Sequence, residues 1–143
     1  MKARDAAVAI VAVIFLVCVV SSQAADLYLG GWSTHLTTPD KQYNQDHEMI
    51  GIEHNRIFAA RFRNSYDRES YAAAYAWHRD RGYLRLSLYA GGVYGYRECY
   101  GDNGDKARLC PLLVPMASYT RYPVQPAVFL MGDAAVVAVK FSF

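Results

Sequence analysis

Three features of this sequence predict an all-β fold, an eight-stranded antiparallel transmembrane β-barrel of the outer-membrane type that follows a cleaved signal peptide. The chain ends on Ala135-Val-Val-Ala-Val-Lys-Phe-Ser-Phe143, where Val137, Val139, Phe141 and Phe143 alternate with Ala138, Lys140 and Ser142. That is the period-2 pattern of a strand with one apolar face. The chain begins with an export signal, and its twelve tyrosines, two tryptophans and six phenylalanines supply rings suited to membrane interfaces. A terminal strand needs partners on both edges, and in a bilayer only closure provides them.

The export signal reads from its charges inward. Lys2 and Arg4 give a positive start, Ala6 to Val20 is an unbroken apolar run, and Ser21-Ser22-Gln23-Ala24-Ala25 offers small residues for cleavage. The run falls short of the roughly 20 residues that a spanning helix needs, so residues 1–24 are expected to be removed and residues 25–143 to form one barrel domain. Removal also discards Cys18. Cys99 and Cys110 remain, and an exported setting favours their pairing. They enclose a polar, turn-rich segment, so the bridge is expected to staple a loop.

The net charge of +2 is small and the basic residues are scattered, which excludes a nucleic-acid reading. No metal or nucleotide cofactor is implied.

Strand by strand, Asp26 to Leu36 opens the wall, with bulky Tyr28, Trp32 and Leu36 expected on the lipid face and small or polar Gly31, Ser33 and His35 on the other. Thr37 to Glu48 is a polar loop. Met49 to Glu53 and Arg56 to Arg63 flank a tight His54-Asn55 connection. In the second of these, Arg61 and Arg63 share a face, and an arginine at the bilayer midplane costs about 2–4 kcal/mol; they are expected in the lumen or at the outer rim. After the Asn64-to-Asp67 turn, Ser70 to Trp77 sets Tyr71, Tyr75 and Trp77 against Ala72, Ala74 and Ala76. A charged turn, His78 to Gly82, leads into Tyr83 to Tyr96, whose Leu84, Leu86 and Leu88 give the clearest lipid-facing row. Leu112 to Thr120, Val124 to Met131 and Ala134 to Phe143 complete the wall. Pro115 and Pro126 remove ladder donors inside strands, so the wall is either open there or irregular. His47, His54 and His78 fall in loops or turns and read as solvated surface.

With both termini periplasmic, the connections at Thr37, Asn64, Cys99 and Gly132 face outward. That topology brings His35 and Ser65 to one rim. A histidine beside a serine can act as general base toward it, or toward a substrate hydroxyl that the serine orients.

Six short pieces occur in a telling order: Trp32-Ser-Thr-His35, Tyr43-Asn44, Phe62-Arg-Asn-Ser-Tyr66, Ala74-Tyr-Ala-Trp77, Pro111-Leu-Leu-Val-Pro-Met-Ala-Ser118 and Lys140-Phe-Ser-Phe143. Taken together they resemble the outer-membrane lipid A palmitoyltransferase (PagP) family, of which the chain looks like a short, divergent member. Members are eight-stranded barrels that move a palmitoyl chain from a phospholipid to lipid A. The resemblance implies that His35 and Ser65 are catalytic, and that Asn64 stands at the third catalytic position, where the family has aspartate. It gives Pro111, Pro115 and Pro126 a role in opening the sheet to lipid, and Ala72, Ala74 and Ala76 a role in making room for an acyl chain. Tyr43 falls in the family's Tyr-Asn loop, and Arg61 and Arg63 become candidate phosphate ligands. The chain departs from the family in Asn64, in a shifted histidine, in a shorter first loop and in lacking a counterpart of the amphipathic helix before the barrel.

The expected protein is therefore a monomer of the bacterial outer membrane with a phospholipid donor and a lipid A acceptor. Two other readings stand beside it. One is a non-catalytic barrel of the same fold, with a structural, binding or receptor-masking role; the other is a soluble, lipocalin-like periplasmic β-protein.

Overall fold

The alternating segments form eight strands in a computed structural model, which describes residues 24–37, 42–99 and 102–143, with the side chains of 97, 98 and 102–107 left aside. Residues 1–23 of the expected signal peptide, Pro39-Asp40 of the first loop and the Tyr100-Gly101 hairpin tip lie outside the described residues. The strands are β1 (Ala25–His35), β2 (Asp46–His54), β3 (Ile57–Arg63), β4 (Glu69–Arg81), β5 (Leu84–Cys99), β6 (Asp102–Tyr119), β7 (Val124–Met131) and β8 (Ala134–Ser142). Each pairs antiparallel with the next, and β1 pairs with β8, so the sheet closes into an eight-stranded barrel without edges. Both termini meet at one end, where the Ala25 amide donates to the Phe143 carbonyl. We call this the terminal end and the opposite one the loop end.

The first strand corrects the expectation for Tyr28. Rather than facing outward with Trp32, Tyr28 is fully buried in the lumen, whereas Trp32 is exposed. The register slips between Gly30 and Trp32, and both Gly30 and Gly31 have positive φ, 93° and 94°. A bulge adds one residue to one strand, and one residue of slip exchanges the faces. Even-numbered residues therefore point inward below the bulge, and odd-numbered Gly31 and Ser33 point inward above it.

The next strands alternate without interruption. On β3, Phe58, Ala60 and Phe62 face the lumen, and Arg61 and Arg63 lie on the outer wall near the loop-end rim; of the two places open to the arginines, the rim holds and the lumen does not. The β2–β3 turn is centred on Asn55 and Arg56, both with positive φ as a two-residue hairpin turn demands, rather than on His54-Asn55. Strand β4 runs on to Arg81, so His78 belongs to a strand and the turn is Gly82-Tyr83. The Cys99–Cys110 disulfide lies within the β5–β6 hairpin, which continues to a Cys99↔Asp102 pair, and not across an irregular loop.

An eight-stranded lumen is just wide enough for side chains to fill. Tyr28, Phe58, Tyr89 and Phe129 meet across it with ring centroids 5.0–6.0 Å apart, mostly edge to face. They form a plate between a polar terminal half and a more apolar loop half. Alanines 60, 72, 74, 76, 127 and 138 are buried among them, small residues that leave the rings their volume. Outside, Leu84, Leu86, Leu88, Leu113, Val128, Leu130 and Val137 are exposed.

The prolines lie in strands, with a local effect on pairing. The β6–β7 ladder comprises only Met116↔Phe129, Ala117↔Val128 and Ser118↔Ala127. Continued in register, it would set Pro115 opposite Leu130 and Pro126 opposite Tyr119. Pairing stops at each proline on this seam, yet it passes through Leu88↔Pro115 toward β5 and through Pro126↔Val139 toward β8. The missing amide donors thus account for the shortness of this one ladder.

Candidate active site

At the loop end, the strand ends and turns bring a cluster of polar side chains over an apolar cavity of about 60 Å³. The aromatic plate floors the cavity through Phe58, Tyr89 and Phe129, and Met49, Phe62, Ala72, Val114, Met131, Ala134 and Val136 wall it. His47 and Ser65 are the polar residues among its lining. Of the three alanines read as room for an acyl chain, Ala72 lines the cavity, while Ala74 and Ala76 are buried further toward the terminal end.

His35, at the end of β1, is a cross-strand neighbour of the cavity-lining Ala134. Its Nδ1 lies 3.0 Å from Asp133 Oδ1, in the β7–β8 turn. A carboxylate only accepts, so Nδ1 carries the proton and Nε2 is left with its lone pair. Nε2 is buried and has no hydrogen-bond partner among the described residues. The Tyr43 ring stacks on the imidazole, centroids 3.9 Å apart. Asp133 is fixed in turn: Thr37 Oγ1 donates to its Oδ2 at 2.8 Å, and the Leu36 amide donates to its carbonyl at 2.9 Å. A base held by a carboxylate through one nitrogen, with the other nitrogen vacant, is the arrangement that general-base chemistry requires.

Ser65 reaches the cavity from the β3–β4 turn, and its carbonyl accepts from the Asn44 amide at 2.9 Å. His35 and Ser65 share this end, but no hydrogen bond joins them among the described residues. Asn64 does different work. It is wholly buried, its Oδ1 accepts from the Tyr66 and Arg68 amides at 2.9 and 3.1 Å, and its Nδ2 donates to Ser70 Oγ and the Gly95 carbonyl at 3.0 and 3.2 Å. Its side-chain bonds shape the turn and none goes to His35. The carboxylate beside the histidine comes from Asp133, whose turn the expected topology sets at the same rim without marking the contact.

Arg61 donates from both Nε and Nη2 to Glu69 at 3.1 Å. Arg63 sits 3.2 Å from Glu48 and 2.9 Å from Asp67. Both guanidinium groups lie at the rim on the outer surface.

Two of the three histidines expected at the surface, His47 and His78, are instead turned inward, and this overturns that reading for them. His47 and Ser33 are buried together: His47 Nδ1 lies 2.6 Å from the Arg63 carbonyl and Nε2 lies 2.7 Å from Ser33 Oγ. His78 bridges Ser87 Oγ at 2.7 Å and Glu53 Oε1 at 2.5 Å, below the aromatic plate. His54, at the end of β2, is half-buried beside Asn55. The signal for two of these lay in strand alternation carried further: Ala72, Ala74 and Ala76 lead by twos to His78, and Glu53, Gly51 and Met49 lead back by twos to His47.

Among the described residues, no group of three or more His, Cys, Asp or Glu side chains is placed to hold a metal ion. No family model matches the chain, and no curated protein matches it.

Proposed function

We propose that this protein is a bacterial outer-membrane acyltransferase that moves an acyl chain from a phospholipid to a hydroxyl of lipid A. The observation that carries the reading is His35, held by Asp133 with a buried, vacant Nε2, next to an apolar cavity in the lumen. In this mechanism the acyl chain enters the lumen through the short β6–β7 ladder. Met49 and Met131, flexible thioether side chains in the cavity wall, shift to lengthen the space. Nε2 takes the proton of the acceptor hydroxyl as that oxygen attacks the acyl ester, Asp133 balances the imidazolium, the ester C–O bond breaks with the departing alkoxide taking the proton back from Nε2, and Ser65 at the cavity mouth orients the reacting groups. Arg61 and Arg63 at the rim meet phosphates of the lipid headgroups.

The outer wall supports the membrane placement. Exposed leucines and valines form a band, with Trp32, Tyr71 and Tyr94 toward the loop end and Tyr83, Tyr119 and Tyr122 at the terminal end. Aromatic girdles of this kind suit two membrane interfaces. A lipocalin-like soluble protein would leave that apolar band against water, which monomeric soluble proteins avoid. We read the chain as acting as a monomer.

The test is mass spectrometry of lipid A from cells expressing the wild-type chain, His35→Ala or Ser65→Ala. A species heavier by one acyl chain, present with the wild type and absent with both variants, is the expected result. Unchanged lipid A with the barrel folded in the outer membrane would sink acyl transfer. It would favour a binding or receptor-masking barrel, a reading supported by the absence of any His35–Ser65 bond.

A further inference from the structure

One same-face position below His35, Ser33 stands against His47 in the geometry of a nucleophile and its base. A carbonyl only accepts, so the 2.6 Å contact between Arg63 O and His47 Nδ1 puts the imidazole proton on Nδ1. Nε2 is then the acceptor, and Ser33 Oγ–H donates to it at 2.7 Å. Both side chains are more than nine-tenths buried, 8% and 6% exposed, and His47 lines the apolar cavity.

The local backbone is shaped to make this pair. Without the slip at Gly30-Gly31, Ser33 would lie on the opposite face from Tyr28 and point out of the barrel. The bulge turns it inward, and bulges beside active sites commonly re-aim a side chain in this way. At Gly31 an added Cβ would come 3.2 Å from the His47 Cβ and 3.3 Å from the Met49 Cβ. Together with its φ of 94°, this makes glycine the residue that lets β2 bring His47 against Ser33.

We propose that Ser33 is a covalent acyl acceptor and His47 its general base, so that the reaction passes through an acyl-serine. The ester substrate class rests on the acyl-transfer reading above. Ser33 Oγ attacks the carbonyl carbon of the donor ester as its proton passes to His47 Nε2. The tetrahedral adduct collapses with cleavage of the ester C–O bond, and the departing alkoxide takes the proton back from Nε2 and leaves as a lysophospholipid. In the second half, the acceptor hydroxyl gives its proton to a histidine base and attacks the acyl-serine. Ser33 leaves with that proton, and the acyl ester of the acceptor is released. No oxidant, reductant or further reactant is needed. His35 and His47 thereby divide the labour: His47 serves the serine, and His35 serves the acceptor that arrives at the rim.

The experiment uses the full-length barrel purified in detergent micelles and a long-chain alkyl fluorophosphonate, with the labelled residue identified by peptide mass spectrometry. Phosphonylation of Ser33 is expected, lost in Ser33→Ala, and slowed about a hundredfold in His47→Gln. Failure of the folded wild type to label at Ser33 overturns the proposal, and that result needs no variant to fold. So does lipid A that gains its acyl chain in cells carrying Ser33→Ala as fully as in the wild type; that outcome would keep the transfer and remove the covalent step. Labelling at Ser33 with no modified lipid A would keep the nucleophile and remove lipid A as acceptor.

Discussion

The two halves of the lumen use the same side chains to opposite ends. Below the aromatic plate, Glu53 accepts from Tyr28 at 3.2 Å, Tyr89 at 2.8 Å and His78 at 2.5 Å, and His78 spends its second nitrogen on Ser87. Above it, His35 also meets a carboxylate, yet its second nitrogen has no partner among the described residues. A buried histidine–carboxylate pair is therefore not in itself a sign of chemistry. A cavity is not the sign either, since a larger one of about 460 Å³ lies beside Glu53 and His78; what separates the two pairs is that both nitrogens of His78 are bonded, and a saturated network can only hold the barrel together.

The largest effect should come from breaking the saturated network around Glu53. Glu53→Ala removes the acceptor of two buried tyrosine hydroxyls, which then have only each other at 2.9 Å, and of one imidazole nitrogen, at about 1–3 kcal/mol for each of the two groups left unpaired. The check is the urea midpoint of the detergent-refolded protein, followed by tryptophan fluorescence. His35→Ala removes no other buried group's sole partner and should stay within about 1 kcal/mol of the wild type in the same assay. Equal losses would erase the distinction between the halves.

Next in size is the carboxylate of the loop half. Asp133→Asn keeps an oxygen to accept from His35 Nδ1 but removes the charge that balances an imidazolium. Acyl transfer should fall about a hundredfold, in kcat and not in KM for the donor, with an unchanged urea midpoint. A variant that loses stability and keeps its turnover would make Asp133 part of the scaffold, like Glu53.

The difference between the halves also explains what the sequence could show. Alternation over Leu84 to Leu88 and over Ala72 to Ala76 fixed which residues look inward, and the eight strands and their order followed from it. It failed where the period was interrupted or cut short. Tyr28 was assigned outward because the Gly30-Gly31 bulge exchanges faces, and nothing but the paired glycines marks it. His47 and His78 were read as surface because the strands were ended one step too soon beside charged neighbours. Asp133 is a different case: the expected topology sets its turn at the outward rim with His35 but does not mark the contact. It lies 98 residues from His35 in sequence and in a turn, where no periodicity speaks, and only closure of β1 on β8 brings the two together. Asn64 was legible as a position but not as a role, since its turn bonds depend on Gly95 from another hairpin.

That assignment can be sharpened at Asn64 itself. Asn64→Asp would introduce the aspartate of the palmitoyltransferase family that the sequence motifs resemble, and if the position were catalytic here, activity should rise. The structure leads to the opposite expectation. The two bonds accepted by Oδ1 survive, but the Nδ2 donor to the Gly95 carbonyl is replaced by an oxygen 3.2 Å from another oxygen, in a site with no exposed surface. The loss should be about 1–3 kcal/mol, read as a lowered urea midpoint, with no gain in transfer.

The smallest effect belongs to the outer wall, at Arg61. Its paired bonds to Glu69 are exposed to solvent, where ion pairs contribute about 0–1 kcal/mol, so Arg61→Ala should leave the urea midpoint almost unmoved. Its value lies in what else it changes. If the rim arginines meet lipid phosphates, Arg61→Ala should raise KM for the lipid A acceptor several-fold while kcat and KM for the phospholipid donor hold, and added salt should weaken acceptor binding less in the variant than in the wild type. An unchanged acceptor KM would assign the Arg61–Glu69 pair to the wall alone. Recognition of the acceptor would then fall to the loop-end residues around His35 and Tyr43, on the loop side of the same division that separates Glu53 from Asp133.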